Sequence, residues 1–411
     1  MKFRNCALTR RGVLALGALA GASASTRVAF AAESASSASY SGDTLVVVSL
    51  RGGFDGLSAI APIGDPDYYQ ARPTIGLPKS QVIAGDGTFG LHPALAPLLP
   101  QWRAGKLAAV HAVGQANPTR SHFAAMEAME NAAPGSSIRT GWLDRMLGGA
   151  GATGPLAGIA LGHARPARLF AGPAPAVSMA SIDKFTLAGD SAKRPMAAAL
   201  AEMYADAPAP QATAALAAGT SLHATATLRE AGYQPAATYP DTDLGAALRD
   251  VARLIKTRSG LATAAVDCGD WDMHDALGTA VQGQRMHDNL TGLATALAAF
   301  AADLGPAGMA STTVLTISEF GRRVAENASH GADHGHGNAM LLLGGGVRGG
   351  KVYTAWPGLS PAALLDGDLA VTTDYRAVIG ELLQKRCGFG ALDGVFPGVA
   401  PSAFGLATSR S

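Results

Sequence analysis

Thr44-Leu45-Val46-Val47-Val48-Ser49-Leu50-Arg51-Gly52-Gly53-Phe54-Asp55-Gly56 holds a short β-branched run that stops at a glycine pair. The run lacks the polar alternation of a strand with one wet face. A strand apolar on both sides of its pleat is covered on both faces, as in a parallel sheet. Runs of the same kind recur at Leu107–Val113, Ala262–Val266, Thr313–Ile317 and Met340–Leu343. Helical stretches lie between them, at Ser121–Asn131 and Arg285–Leu304. Another runs from Asp374, a residue suited to an N-cap, to Cys387, with Gly388 as its stop. Strands alternating with helices predict an α/β fold, a three-layer α/β/α sandwich around a mixed, mostly parallel sheet. Residues 195–260 are Ala-rich and read as helical throughout, so a helical insertion is expected beside the sheet or over its edge.

The first 31 residues follow another logic. Arg10-Arg11 precedes the apolar run Gly12–Gly21, which is too short and too rich in Gly and Ala for a comfortable membrane span. Ala29-Phe30-Ala31 then offers small residues to a signal peptidase. This layout predicts a twin-arginine signal over 1–31, a Ser/Ala-rich linker over 32–43 and one domain over 44–405. Cys6 sits ahead of the apolar run, which argues against a lipoprotein. The expected location is periplasmic or secreted, with the twin-arginine translocase as a transient partner. No later segment has the length and purity of a stable membrane span.

Residues 1–31 hold five basic side chains and no acidic one, so the rest of the chain keeps 27 basic against 31 acidic residues, a formal net charge of −4. Nucleic acid is excluded as a partner on that balance, because phosphate binding needs a basic surface. With 48% apolar and only 15% charged residues, the chain can build a deep core. Cys268 and Cys387 remain after processing; an oxidising compartment permits a bridge, but two buried thiols are the better reading.

In open α/β sheets, ligands collect outside the carboxyl ends of the strands, and the polar clusters of this chain follow its strand candidates. After the first comes Asp55 among glycines, a candidate metal ligand or a turn former. After the second comes Asn117-Pro118-Thr119-Arg120-Ser121-His122, with Ser121 placed to open a helix whose positive end would favour an anion. The third leads to Asp270-Trp271-Asp272-Met273-His274, where Asp and His two residues apart point the same way in an extended segment. The fourth leads to Ser318-Glu319-Phe320-Gly321-Arg322, and then to His330-Gly331-Ala332-Asp333-His334-Gly335-His336, too polar and Gly-rich for a packed core. Glu319 with Arg322 reads as an ion pair or as support for metal ligands. The set suits one or two divalent metal ions, with Zn, Mn, Ca and Mg all open.

Seven blocks together resemble the bacterial family of domain of unknown function 1501. They are Leu50–Leu57, Leu91-His92-Pro93, Ser121-His122-Phe123, Gly141-Trp142-Leu143, Trp271-Asp272-x-His274, Ser318–Arg322 and Asp333-His334-Gly335. The resemblance spans about residues 43–405 and implies an alkaline phosphatase-like, sulfatase-like fold. It further implies an exported hydrolase of phosphate or sulfate esters, with a small-molecule or glycan ester as substrate. Carried over by position, Asp55 is a metal ligand and Ser121 the nucleophile. Asp272 and His274 hold one metal, with Asp270 competing for that role. Asp333 and His334 serve the other, with His336 as a last ligand. Arg120 would stabilise substrate oxygens, and His122 would bind substrate or act as an acid. The chain departs from the superfamily in two ways: it has no His beyond His336, and no Cys-x-Pro-x-Arg segment of an ordinary sulfatase. The other reading is a degenerate, non-catalytic member that binds a metal, an envelope glycan or a protein partner.

Overall fold

The computed structural model describes residues 40–162, 167–191, 193, 195–400 and 402–410. The expected signal peptide and linker residues 32–39 lie outside the described residues. The strands are β1 (Thr44–Leu50), β2 (Ile60–Ala61), β3 (Gly90–Leu91), β4 (Leu107–Gly114), β5 (Gly158–Leu161), β6 (Ala176–Met179), β7 (Thr263–Cys268), β8 (Thr312–Ile317), β9 (Asn338–Gly344), β10 (Val352–Tyr353) and β11 (Thr373–Asp374). Nine of them form one sheet in the order β10-β4-β9-β8-β1-β7-β5-β6, with β11 also on β4. β1 is central, with Val47 between Ala265 of β7 and Leu315 of β8, parallel to both. Only β9 runs against its neighbours.

The alternation of side chains along β1 builds the three layers. Val46, Val48 and Leu50 point to one core, with Leu248 and Val251 of the helix Asp243–Lys256 and Leu290, Leu293 and Leu297 of the helix Arg285–Met309. Leu45 and Val47 point to the other, with Trp142, Leu143 and Met146 of the helix Trp142–Ala150 and Val378, Ile379 and Leu382 of the helix Tyr375–Arg386. All five β1 side chains are fully buried, and burial of each contributes roughly 1.5–3 kcal/mol. The expected α/β/α sandwich with a mixed, mostly parallel sheet is the observed fold.

Within residues 195–260, Met196–Tyr204 buries no residue, whereas Asp243–Lys256 is a layer helix feeding β7. Arg285–Met309 is the one described helix long and apolar enough to cross a membrane, yet more than half of its apolar stretch is buried in the fold. Gly305, at φ 62°, interrupts it ahead of Pro306. Asp43, in the segment read as linker, is fully buried and takes Arg386 at 2.8 and 3.1 Å and Arg410 at 2.7 Å. This carboxylate ties the entry of β1 to the last helix and the C-terminal tail. Cys268 and Cys387 are free thiols, the second buried.

The antiparallel β9 matters for the site. β1, β4, β7 and β8 run the same way, so their carboxyl ends share one edge. β9 starts at that edge, so residues 330–337 just ahead of it arrive there too.

Candidate metal centre

Three histidines converge on Asp272, and each has one ring nitrogen already committed. His122 opens the helix His122–Asn131, and its Nδ1 lies 2.8 Å from Glu319 Oε1. His274 Nδ1 lies 2.9 Å from Asp333 Oδ1, and His334 Nδ1 lies 2.9 Å from the Arg120 carbonyl. A carboxylate or carbonyl oxygen only accepts, so these contacts suit the tautomer with its proton on Nδ1, which turns an Nε2 lone pair inward to a metal. A ring N–H held by an outer oxygen is the usual support of a metal-bound histidine.

The inward atoms crowd together. One ring nitrogen each of His122 and His334 and one Asp272 oxygen lie within 4.8 Å of one another. Asp272 Oδ2 is 3.5 Å from His122 Nε2, and Oδ1 is 3.2 Å from His334 Nε2 and 3.1 Å from His274 Nε2. His274 Nε2 and His334 Nε2 face each other at 3.0 Å. Two nitrogen lone pairs at that distance repel unless a cation or proton stands between them. Ligands about 2.1 Å from a tetrahedral ion sit about 3.4 Å apart, so the spacing suits one ion held by His122, His334 and Asp272, with His274 against the last two. His122 Nε2 is buried and has no hydrogen-bond partner among the described residues, as a ligand atom would.

Arg322 organises the carboxylate. Its guanidinium is fully buried, donates to Asp272 Oδ1 at 2.6 Å, and is held by the carbonyls of Gly52, Gly53, Trp271 and Ala332. Burial alone would raise the Asp272 carboxyl; hydrogen bonding and charge from Arg322, with His334 and His274, outweigh it and hold the group at about 2. Asp272 is therefore an ionised donor throughout the neutral range. Burial pushes His334 below the ordinary histidine value, which favours the neutral ligand form.

Glycines permit this crowding. A Cβ on Gly331 would lie 2.2 Å from the His274 carbonyl carbon, and one on Gly335 2.5 Å from that of Arg322. Phe320 fills the floor, its ring centroid 4.8 Å from that of His122 and 4.7 Å from that of His334.

Several expected ligands have other roles. Asp55, expected as a ligand, is buried and takes Arg72 at 2.5 and 3.0 Å, one bond on each oxygen, and Ser58 at 2.6 Å. A guanidinium already occupies the place a metal would need. Asp333, also expected as a ligand, orients His274 and accepts Asn327 at 3.0 Å. His336, expected as the last ligand, turns Nε2 to the buried Asp368 at 3.4 Å. Asp270 pairs with Arg285 at 3.1 Å. His122, expected to bind substrate or act as an acid, joins the ligand group. Ser121 is the exposed N-cap residue, with its carbonyl bonded to the Ala125 N–H at 2.8 Å and no side-chain capping bond. It stands between Arg120, whose carbonyl fixes His334, and His122. The next residue, Phe123, is 84% exposed. Asp368 belongs to none of the clusters, and only its position opposite Arg120 and Arg323 reveals it.

No curated protein matches this sequence. Among the solved structures similar to this chain are two at 10% identity. One is the lipoteichoic acid synthase LtaP from Listeria monocytogenes, with 76% of this chain and 68% of that chain covered at a TM-score of 0.35. The other is the phosphonate monoester hydrolase of Agrobacterium radiobacter, with 88% and 78% covered at a TM-score of 0.36. The model of the family described as protein of unknown function (DUF1501) matches residues 43–379, and this chain belongs to that family.

Proposed function

We propose that this protein is exported by the twin-arginine route and hydrolyses phosphate or sulfate esters with a divalent metal and Ser121 as nucleophile. The observation that carries the reading is the convergence of His122, His274 and His334 Nε2 on Asp272 beside that exposed serine. When bound, the metal supplies Lewis acidity, lowering the pKa of a nearby hydroxyl and offsetting charge on substrate oxygens. Ser121 Oγ forms the new bond to phosphorus or sulfur as the ester oxygen leaves, and water then cleaves the serine ester. Arg120 and the N–H groups opening the helix His122–Asn131 stabilise the oxygens in flight. Arg322 and Glu319 keep Asp272 and His122 in place. A site assembled from distant loops exists only in the folded chain, which suits export of a folded, metal-loaded protein.

The test is a screen of the purified chain on p-nitrophenyl phosphate, bis-p-nitrophenyl phosphate and p-nitrophenyl sulfate with Zn, Mn, Ca or Mg. Turnover of one class is expected, with a loss of about a thousandfold or more in Ser121→Ala at unchanged metal content. Undiminished turnover in that variant refutes the nucleophile. A second reading, a non-catalytic protein binding a metal, an envelope glycan or a partner, is favoured by one observation. Arg72 holds Asp55, so the ligand that the family resemblance places after β1 is not available for a second metal. Full metal loading with no turnover of any ester supports that reading.

A further inference from the structure

Two arginines beside the metal group share one buried carboxylate. Arg120 points Nε and Nη2 to Asp368 Oδ2 at 2.9 and 2.6 Å, and Arg323 points Nε to Oδ1 at 3.2 Å. Both place Nη2 on the Asp366 carbonyl. The Asp368 side chain is 0% exposed, whereas Arg120 and Arg323 are 40% and 39% exposed. A ligand therefore meets the guanidinium groups and never the carboxylate that holds them.

The backbone ties both arginines to the metal group. Arg120 offers its carbonyl to His334, and the Arg323 N–H donates to the Asp333 carbonyl at 2.8 Å. Arg322 and Arg323 each sit in a β-bridge, to His334 and to Asp368. Successive side chains of an extended segment point to opposite sides, so Arg322 goes to Asp272 and Arg323 to the other side, onto Asp368. No described residue accepts a hydrogen bond from Nη1 of Arg120 or of Arg323, and the exposed carboxylate of Asp366 bonds neither. Arg120 bonds only Oδ2 and Arg323 only Oδ1, so the two arginines share one buried carboxylate and each keeps donors for a further anion.

We infer that Asp368 is a positioning residue that sets Arg120 and Arg323 side by side as the subsite for a tetrahedral oxyanion, the phosphate or sulfate group of the substrate. The inference deepens the hydrolase reading and rests on it for the place of reaction. It makes the substrate an anionic ester rather than a neutral glycan or carboxylic ester. Planar guanidinium forks match such oxygens in geometry as well as in charge.

The test uses the full metal-loaded chain and equilibrium titration with inorganic phosphate and, separately, sulfate. Arg323→Ala should weaken binding of the preferred anion by about tenfold or more at unchanged metal content. Arg323→Lys should restore part of it, and Asp368→Asn should weaken it comparably, because both forks lose their anchor. With an ester that turns over, Arg323→Ala should lower kcat/KM by about tenfold or more at unchanged metal content. Wild-type affinity in a folded, metal-loaded Arg323→Ala overturns the subsite, as does a wild-type chain that binds neither anion; if Asp368→Asn fails to fold, Arg323→Ala decides alone. Arg323-dependent binding without any turnover refutes the hydrolase reading and leaves the subsite standing. Turnover with Arg323-independent binding does the reverse.

Discussion

Replacing Asp55 by Asn turns one carboxylate oxygen into an amide nitrogen and leaves the buried Arg72 guanidinium facing a donor. Both side chains are within 1% of fully buried. Breaking a buried pair by removing one partner costs about 3–5 kcal/mol. Arg72 keeps its bonds to the Val324 and Arg323 carbonyls, both at 2.9 Å, so the lower end applies. With an unfolding entropy of about 2.1 cal/mol/K per residue over about 370 folded residues, a loss of about 3 kcal/mol lowers Tm by about 4 °C. Burial alone would raise the Asp55 carboxyl; Arg72 and Ser58 outweigh it, and the folded value lies below the ordinary one. A depressed carboxylate stabilises above its unfolded pKa of about 4, and that contribution is lost as pH falls through the lower folded value. The gap in Tm between the wild type and Asp55→Asn should persist from neutral pH to about pH 4 and close in stronger acid. Calorimetry across pH, with metal per chain measured by mass spectrometry, checks both parts. Metal loss in Asp55→Asn, together with a wild-type Tm for both proteins in chelator, would refute the structural role assigned here.

Three further outcomes follow from the same geometry. Glu319→Ala removes the acceptor that fixes the His122 ring, so metal affinity measured by chelator competition should fall about 10–100-fold. Gly331→Ala brings a methyl group against the His274 backbone and should cost about 1–3 kcal/mol in denaturant unfolding, with weaker metal retention. Asp43→Asn leaves Arg386 and Arg410 unmatched and should lower stability by about 3 kcal/mol at unchanged metal content, read from the same denaturation curves.

The central strands were legible because Leu45–Leu50 and its counterparts bury both faces and leave β-branched runs. β5 and β6 were not, since Gly158-Ile159-Ala160-Leu161 and Ala176-Val177-Ser178-Met179 are short and rich in small residues, which no periodicity separates from loop. At the site, Asp272, His274 and His334 were readable as donors grouped just past strand ends. Their division of labour was not, because it depends on which oxygen each ring nitrogen meets. Asp333 and Glu319 look as suited to a metal as Asp272 does, yet they take the Nδ1 protons of His274 and His122. Asp55 shows the general reason. Sequence displays an acid after a strand but not the cation that will reach it, and Arg72 belongs to no motif. It is delivered only because it ends the short helix Pro66–Ala71. The Asp-x-x-Ser spacing brings the Ser58 hydroxyl onto Asp55 Oδ2 at 2.6 Å, although Asp55 makes no side-chain capping bond. Asp368 is the converse case: isolated in sequence, it matters because Arg120, 248 residues away, folds onto it. A carboxylate at a strand end remains for a metal only where its arginine leaves an oxygen free: Arg72 takes both oxygens of Asp55, whereas Arg322 takes only Oδ1 of Asp272 and leaves Oδ2 to face His122.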